Sequence, residues 1–307
     1  FESPGGMPDP LVQLCELVNQ FGQQPIADLP PFQGGAAGMF GYELGRSLER
    51  LPAPAYDEFG LPALAIGLYD VVLAWDHGQD RAWIISQGYP ESDSAARQQR
   101  ARSRTSQFIA WLDESSPPNS RPGTESLLTR EALAPQFTLP NSNGLTSEFS
   151  REDYLRAVAR AIEYIHAGDV FQVNLSQRLL AADDGDPVSL YLRLRKRNPA
   201  TFAAYFAGND FHIASASPER FLRVQDRSVE TRPIKGTRHR SRLPEADLFA
   251  GDDLQASEKD RAENVMIVDL LRNDLSRVCT PDSICVKELC RIEAYETVQH
   301  LVSVVEG

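Results

Sequence analysis

The sequence predicts an α+β fold, in which antiparallel strands and helices occupy separate blocks of the chain. Two apolar runs at 64–75 and 81–86 flank a turn of Asp, His, Gly and Gln and predict a β-hairpin. Two more hairpins are predicted at 202–216 and 221–231, each around a short polar turn. Residues 154–165 instead repeat apolar side chains at spacings of three and four, which is typical of an amphipathic helix.

The N-terminal region is predicted to begin with a helix. Asp9 followed by Pro10 is a favourable helix start, and apolar residues between 11 and 18 form its stripe. The glycines between 34 and 41 fit neither a GxGxxG motif nor a phosphate-binding loop, so we interpret them as strand and turn residues. A second helix is predicted over 93–113. Its four arginines favour a solvated face, with phosphate binding as the alternative.

The composition changes at residues 114–148, where Ser, Pro, Asn and Gly dominate and no hydrophobic period survives. A span of this kind usually marks a linker or a functional loop. We therefore predict an N-terminal region at 1–113, a linker or long loop at 114–148, and a second region at 149–307. The second region opens at Ser150 with a sequence typical of a capping box.

An alternating stretch from 171 to 179 predicts a strand with one apolar and one polar face. The polar face could line a site, or it could face water on an antiparallel sheet, and the pattern leaves both open. The polar residues are Gln172, Asn174, Ser176 and Arg178.

Two more helices are predicted in the second region. Asp186 followed by Pro187 starts a short one, and Ser257 can cap a longer one. In the longer helix Asp260 and Glu263 lie three residues apart, so they share a face of its first turns. Early acids ordinarily compensate the helix dipole, and a metal site is the alternative.

Composition excludes several classes of function. The formal net charge of −12 argues against a nucleic-acid surface and an anionic membrane surface, both of which need a dense basic face. No apolar run approaches the ~20 residues of a membrane span. The four cysteines lack the paired spacing of a zinc site, which favours reduced thiols in a cytoplasmic protein.

The segment 231–240 places a lysine among three arginines. Pro233 stiffens the approach to Lys235, and Gly236 lets the backbone turn or contact a ligand directly after it. Deprotonating an ordinary lysine at neutral pH costs roughly 4 kcal/mol. Repulsion from neighbouring arginines would reduce that cost and make Lys235 a nucleophile. A basic surface turn with solvated charges is the alternative.

Three more segments share one family pattern with 231–240, namely 214–221, 259–275 and 299–303. Together they resemble the chorismate-utilising enzymes, which include component I of anthranilate synthase and component I of aminodeoxychorismate (para-aminobenzoate) synthase. The resemblance is tight over 146–307 and looser in the N-terminal region. The aminodeoxychorismate branch reads Pro-Ile-Lys-Gly-Thr, as this chain does, whereas the anthranilate branch has alanine in place of the lysine.

The resemblance implies a fold of two large antiparallel sheets packed as a sandwich with helices outside, as in anthranilate synthase component I. It implies an enzyme that aminates chorismate at C4 to 4-amino-4-deoxychorismate, a step leading to para-aminobenzoate and folate. Ammonia would come from a glutamine amidotransferase subunit, and the N-terminal region is a candidate for a tryptophan-binding pocket. The alternatives are anthranilate synthesis and a non-catalytic, ligand-binding module.

The resemblance also assigns roles to individual residues. Lys235 is the nucleophile, Glu219 the general acid or base, and His300, which we place at the end of a strand-like run, contacts the departing hydroxyl. Without the resemblance, His300 would be interpreted as a core histidine. The substrate-binding residues implied are Gly236, Thr237 and Arg232, and the residues implied to hold Mg²⁺ are Glu263 and Asp260.

Members of this family continue beyond the segment that matches 299–303. The continuation carries a Gly-rich segment resembling a substrate-carboxylate site and a further metal-binding glutamate. Neither lies within these 307 residues. We therefore expect the catalytic region at 149–307 to be incomplete at its C-terminal side.

Overall fold

The computed structural model describes residues 9–22, 24–114, 133–142, 144–183 and 185–307. The chain divides into two compact units, one comprising Phe1–Asp184 with Gly208–Phe211 and the other Gly185–Ala207 with His212–Gly307. The boundary predicted at 114–148 does not coincide with this division, and most of that span lies outside the described residues. Helices and antiparallel strands are mixed in both units, which confirms the α+β prediction.

The first unit contains three α-helices, a short 3₁₀-helix (Tyr42–Ser47) and seven strands within the described residues. The helices are α1 (Pro10–Gln20), α2 (Ser94–Asp113) and α3 (Arg151–Ala167). The strands are β1 (Gly35–Phe40), β2 (Leu64–Tyr69), β3 (Val71–Asp76), β4 (Arg81–Ser86), β5 (Phe137–Thr138), β6 (Thr146–Ser147) and β7 (Leu179–Leu180). The predicted run at 64–75 splits at Asp70, so that β2 pairs with β1 and β3 forms the predicted hairpin with β4.

The strand predicted over 171–179 is wrong for most of its length. Only Leu179–Leu180 pairs, as β7 against β6. The preceding residues are held by side chains instead, because Gln177 donates to the Ser147 hydroxyl at 2.8 Å and Arg178 forms an ion pair with Glu148 at 3.3 Å. Alternation alone therefore predicted a strand where the described residues provide no partner strand.

The second unit contains three α-helices, a short 3₁₀-helix (Pro281–Ser283) and seven strands within the described residues. The helices are α4 (Pro187–Arg197), α5 (Pro244–Ala256) and α6 (Glu258–Ser276). The strands are β8 (Phe202–Ala207), β9 (His212–Ser217), β10 (Arg223–Gln225), β11 (Ser228–Thr231), β12 (Ile234–His239), β13 (Cys285–Ala294) and β14 (Val298–Glu306). The hairpins predicted at 202–216 and 221–231 are confirmed as β8–β9 and β10–β11.

Helix starts follow the capping residues that the sequence analysis identified. A side-chain oxygen of each cap accepts a hydrogen bond from a backbone N–H in the first turn, which satisfies a donor that the helix itself leaves free. The predicted caps are Asp9, Ser150, Asp186 and Ser257.

Strand β14 is the centre of a five-stranded antiparallel sheet. Strands β11 and β12 follow one another along one of its edges, and β13 pairs along the other. Helices α5 and α6 pack on the sheet, where Leu254 belongs to one buried cluster with Leu301, and Val268 and Leu275 belong to another with Val305. These side chains are almost fully buried and form the core of the unit.

The other sheets of the described residues have two or three strands each. The two large sheets implied by the resemblance are therefore represented by one large sheet and several short ladders. None of the helices in the described ranges combines the length and the apolar character that crossing a membrane requires.

Candidate active site

Lys235 lies on β12, where the strand contains a β-bulge. Ile234 pairs with Val302, but Thr237 pairs with His300, so one extra residue is accommodated between them. Gly236 takes up the irregularity with a φ of +80°, a conformation that side chains rarely adopt. The bulge thus determines which way Lys235 points.

The Lys235 side chain reaches helix α6. Its Nζ lies 3.6 Å from Oε1 of Glu263, and the two side chains are 25% and 33% exposed. The lysine is therefore neither buried nor free in solvent. The structure brings these two predicted site residues together, although they belong to different elements.

Glu219 lies beside the same bulge. Its Oε1 accepts a hydrogen bond of 2.9 Å from the backbone N–H of Ile234, the residue before Lys235. The β10–β11 hairpin explains this position, because extending its register leads from Arg223 opposite Glu230 towards Glu219 opposite Ile234. No hydrogen bond or ion pair between described residues joins Lys235 directly to Glu219 or His300.

His300 is in the middle of a row of three residues across neighbouring strands. Thr237 on β12 lies on one side of it and Glu293 on β13 on the other. The Thr237 hydroxyl is 2.9 Å from His300 Nδ1, and the Tyr295 ring packs edge-on at 5.4 Å between centroids. His300 lies near the start of β14, so its predicted place at the end of a strand was wrong.

Burial controls the electrostatics of this row. His300 is only 6% exposed, and desolvation lowers the pKa of its imidazole, against the opposing charges of Glu219 and Glu293. Burial also raises the pKa of Tyr295, whose hydroxyl donates to Glu293 at 2.8 Å. The row therefore favours a neutral imidazole with Nδ1 occupied by Thr237, which leaves Nε2 available for a ligand.

The arginines around Lys235 differ from the prediction. Repulsion from these arginines was expected to make Lys235 easier to deprotonate. Each arginine instead has a carboxylate partner, which compensates its positive charge. Arg232, predicted to bind substrate, pairs with Glu293. The remaining pairs are Arg238 with Asp253 and Asp260, and Arg240 with Asp247.

The two predicted metal ligands differ in availability. Glu263 is a third exposed and forms an ion pair with Lys235, whereas Asp260 is 16% exposed and lies 3.3 Å from the Arg238 guanidinium. No group of three or more His, Cys, Asp or Glu side chains suited to a metal ion occurs among the described residues. One available carboxylate fits Mg²⁺, which takes one or two protein carboxylates and completes its shell with water and substrate oxygens.

A cavity of about 190 Å³ lies next to this site. Its lining includes Asn198, Pro218, Tyr295 and His300. Lys235 is not among its lining residues, so the cavity adjoins the histidine side of the site. The described residues of the first unit enclose another cavity, of about 400 Å³, with both apolar and charged lining.

Sequence reasoning missed Glu293, Tyr295 and Asp253. Glu293 and Tyr295 lie on and just after β13, a strand that the sequence analysis did not predict. Because directly opposed residues on neighbouring strands are side by side, correct pairing of β13 with β14 would have placed Glu293 next to His300. Asp253 carried no local signal, since its partner Arg238 lies on another element.

Comparison with known proteins gives one consistent similarity. The family model described as chorismate binding enzyme matches residues 8–307. Aminodeoxychorismate synthase component 1 of Salmonella typhimurium is 40% identical over 285 residues, which are 93% of this chain and 56% of that protein. Anthranilate synthase component 1 of Thermus thermophilus is 38% identical over 97% of this chain and 60% of that protein.

A solved structure agrees with these similarities. Anthranilate synthase component I from Streptococcus pneumoniae superimposes with a TM-score of 0.76 at 28% identity, covering 96% of this chain and 61% of that one. The chain thus spans somewhat over half the length of the relatives it matches.

Proposed function

The chain belongs to the family of chorismate binding enzymes, and from this premise we propose that it aminates chorismate at C4 to give 4-amino-4-deoxychorismate. The observation that carries the proposal is the position of Lys235. It occupies the Pro-Ile-Lys-Gly-Thr segment of the aminodeoxychorismate branch, on a bulge that directs its amine to Glu263 at 3.6 Å.

The proposed reaction uses Lys235 as a covalent catalyst. As a free amine, its Nζ forms a bond to C2 of chorismate while the ring double bonds shift and the C4–O bond breaks. The departing hydroxyl takes up the proton that Nζ loses on forming this bond, and it leaves as water. Ammonia then forms a bond to C4 and the double bonds shift back. The C2–Nζ bond breaks as Nζ takes up the proton that the added ammonium loses, which releases the lysine amine.

Glu219 and His300 are the candidates for moving protons in these steps. A general acid or base must lie within hydrogen-bond reach of the reacting group or be connected through one water. Glu219 is anchored by the N–H next to Lys235, and His300, whose Nδ1 contacts the Thr237 hydroxyl, lines the adjoining cavity. Backbone groups at Gly236 and the Thr237 side chain remain candidates for holding the substrate, whereas Arg232 would need to exchange Glu293 for a substrate carboxylate.

Mg²⁺ is the proposed cofactor, with Glu263 as the chain's ligand. Bound there, the ion would neutralise the ring carboxylate of chorismate and orient the ring. Ammonia would be supplied by a glutamine amidotransferase subunit. The name component 1 of the relatives supports a partner of this kind, because it implies a second component.

Product identity tests the proposal. The protein is incubated with chorismate, MgCl₂ and an ammonium salt, and the products are separated and identified by mass and fluorescence. A product that keeps the enolpyruvyl group and gains an amine at C4 supports the proposal. Fluorescent anthranilate together with pyruvate would replace it with the second candidate, which the 38% identity to an anthranilate synthase component 1 favours.

A non-catalytic role gives a different result in the same assay. Chorismate would then remain unchanged even with ammonium salt in excess. Calorimetry with tryptophan, and separately with chorismate and MgCl₂, distinguishes a ligand-binding module from an enzyme. The cavity of the first unit, lined by Asp70, Gln87 and Arg100 among others, is the candidate location for the tryptophan site.

A further inference from the structure

Two side-chain pairs connect strand β12 to helix α6. Lys235 faces Glu263 at 3.6 Å, and Arg238 faces Asp260 at 3.3 Å. The residues of each element are three positions apart. On a helix this spacing places both acids on one face. The strand and the helix therefore present two matched pairs to each other.

Lys235 and Arg238 lie on the same face of β12 only because the strand contains a bulge. On a regular strand, residues three positions apart point to opposite faces of the sheet. The extra residue between Ile234 and Thr237 reverses the alternation once, so Lys235 and Arg238 can both reach α6. Any change that removed the bulge would move one of the two side chains to the other face.

Asp260 forms the floor of this bulge. A Cβ added to Gly236 would lie 2.9 Å from both Cβ and Cγ of Asp260, so the backbone rests against this side chain. The backbone N–H of Asp260 donates to the Ser257 hydroxyl at 3.3 Å, which places the residue in the capped first turn of α6. The position of Asp260 is therefore determined by the helix cap.

The carboxylate of Asp260 is already engaged. Arg238 lies against it and also binds Asp253 at 2.8 Å, while its Nη1 donates to the Thr237 carbonyl at 3.2 Å. The guanidinium thus ties α5, α6 and the bulged strand together. A positive group at this distance repels a divalent cation, which makes Asp260 a poor ligand and a good anchor.

We propose that Asp260 is a positioning residue, which acts through Arg238 and the floor of the bulge to hold Lys235 opposite Glu263. Its catalytic consequence rests on the proposed function, since Lys235 must be the nucleophile for misplacement to matter. Its structural consequence, the separation of Lys235 from Glu263, does not depend on the reaction.

The test compares Asp260→Asn, which keeps the volume and removes the charge, with Arg238→Ala, Arg238→Lys and the double variant Asp260→Asn/Arg238→Ala. Three quantities are measured in the complete protein, namely Mg²⁺ affinity by calorimetry without chorismate, kcat and KM for chorismate, and the Nζ–Oε1 separation in crystal structures. Glu263→Gln serves as the reference for a lost metal ligand. Glu163→Gln, which breaks an exposed ion pair on α3, is the matched control for activity.

We expect Asp260→Asn and Arg238→Ala each to lower kcat about tenfold and to lengthen the Lys235–Glu263 separation beyond 4 Å, with Mg²⁺ affinity within twofold of the wild type. The double variant should be no worse than either single one, because both remove the same contact. Arg238→Lys should recover part of the activity.

Two results would overturn the proposal. One is a loss of Mg²⁺ affinity in Asp260→Asn as large as in Glu263→Gln, with Arg238→Ala unaffected, which would make Asp260 a ligand. The other is an unchanged separation of Lys235 and Glu263 in both single variants. A wild-type protein that does not aminate chorismate would instead contradict the proposed function, and the separation would still decide the role of Asp260.

Discussion

The Thr237 hydroxyl lies 2.9 Å from Nδ1 of His300, and the two residues are directly opposite each other on β12 and β14. Because this contact occupies Nδ1, the ring nitrogen of His300 that remains for a ligand is Nε2. The contact also connects the bulged strand that carries Lys235 to the buried strand that carries His300.

Replacing Thr237 by valine should therefore lower kcat about tenfold, since a lost hydrogen bond of this kind is worth about 1 kcal/mol and the ring loses its orientation. Thr237→Ser keeps the hydroxyl and should stay within threefold of the wild type. Nitrogen NMR of the imidazole provides the check, because the valine variant should show a mixture of tautomers. An unchanged tautomer in that variant would remove Thr237 from this role.

Removing the amine of Lys235 should abolish the covalent adduct with chorismate and lower the amination rate by at least about 10³-fold. Intact-protein mass spectrometry after rapid quenching detects the adduct. Lys287→Ala is the matched control, because Lys287 is an exposed lysine that pairs with Glu306 on the same sheet. An adduct that persists in Lys235→Ala would exclude this lysine as the nucleophile.

Glu219→Gln should lower kcat by about 10²- to 10⁴-fold, the usual contribution of a general acid or base. The amide oxygen can still accept the hydrogen bond from Ile234, so the bulge and KM should change little. Steady-state kinetics separates the two effects. A rise in KM with kcat unchanged would instead indicate a substrate-binding role.

The buried His300 should make stability depend on pH. Burial lowers its pKa from the ordinary value of 6.5, so between that lowered pKa and 6.5 the unfolded chain binds a proton that the folded chain does not. Above pH 6.5 protonation of His300 does not reduce the free energy of unfolding. As the pH falls below 6.5 the free energy of unfolding decreases by up to about 1.4 kcal/mol per pH unit, until the pKa of the folded state is reached. The groups that oppose this shift are Glu219 and Glu293.

Urea unfolding at pH 7.5, 6.5 and 5.5 measures this dependence, with His300→Gln as the variant that lacks it. The wild type should lose more stability than the variant between pH 6.5 and 5.5. Equal losses of stability in both proteins would show that unfolding is not coupled to protonation of His300.

Alanine at Gly236 should destabilise the protein by about 2–4 kcal/mol, because it combines a positive φ with a clash against Leu254 and Asp260. Gly168 has the same φ of +80° but nothing within 4 Å of a built Cβ. Its alanine variant should therefore lose only about 1 kcal/mol. Thermal unfolding compares the two, and equal losses would show that packing under the bulge contributes little.

Local patterns predicted the elements of the fold better than their pairing. Asp9, Ser150 and Ser257 identified helix starts because capping depends on residues within one turn. The bulge at Gly236 was not predictable in the same way, because its register is set by pairing with β14, which lies far along the chain.

The candidate site shows the same contrast between local motifs, which the sequence reveals, and contacts between distant elements, which it does not. Glu219, Lys235, Glu263 and His300 were proposed from motifs, and the structure places Lys235 3.6 Å from Glu263. The carboxylates that compensate the arginines were missed, since Glu293 and Asp253 carry no signal until their neighbours on other elements are known.

The order of strands in the large sheet has a consequence for synthesis. Strands β11, β12 and β13 all pair with β14, which the ribosome makes after them. Apart from the β10–β11 hairpin, none of these ladders can close until residues 298–306 have emerged. Until then the nascent chain exposes unpaired strand edges, and such edges favour aggregation.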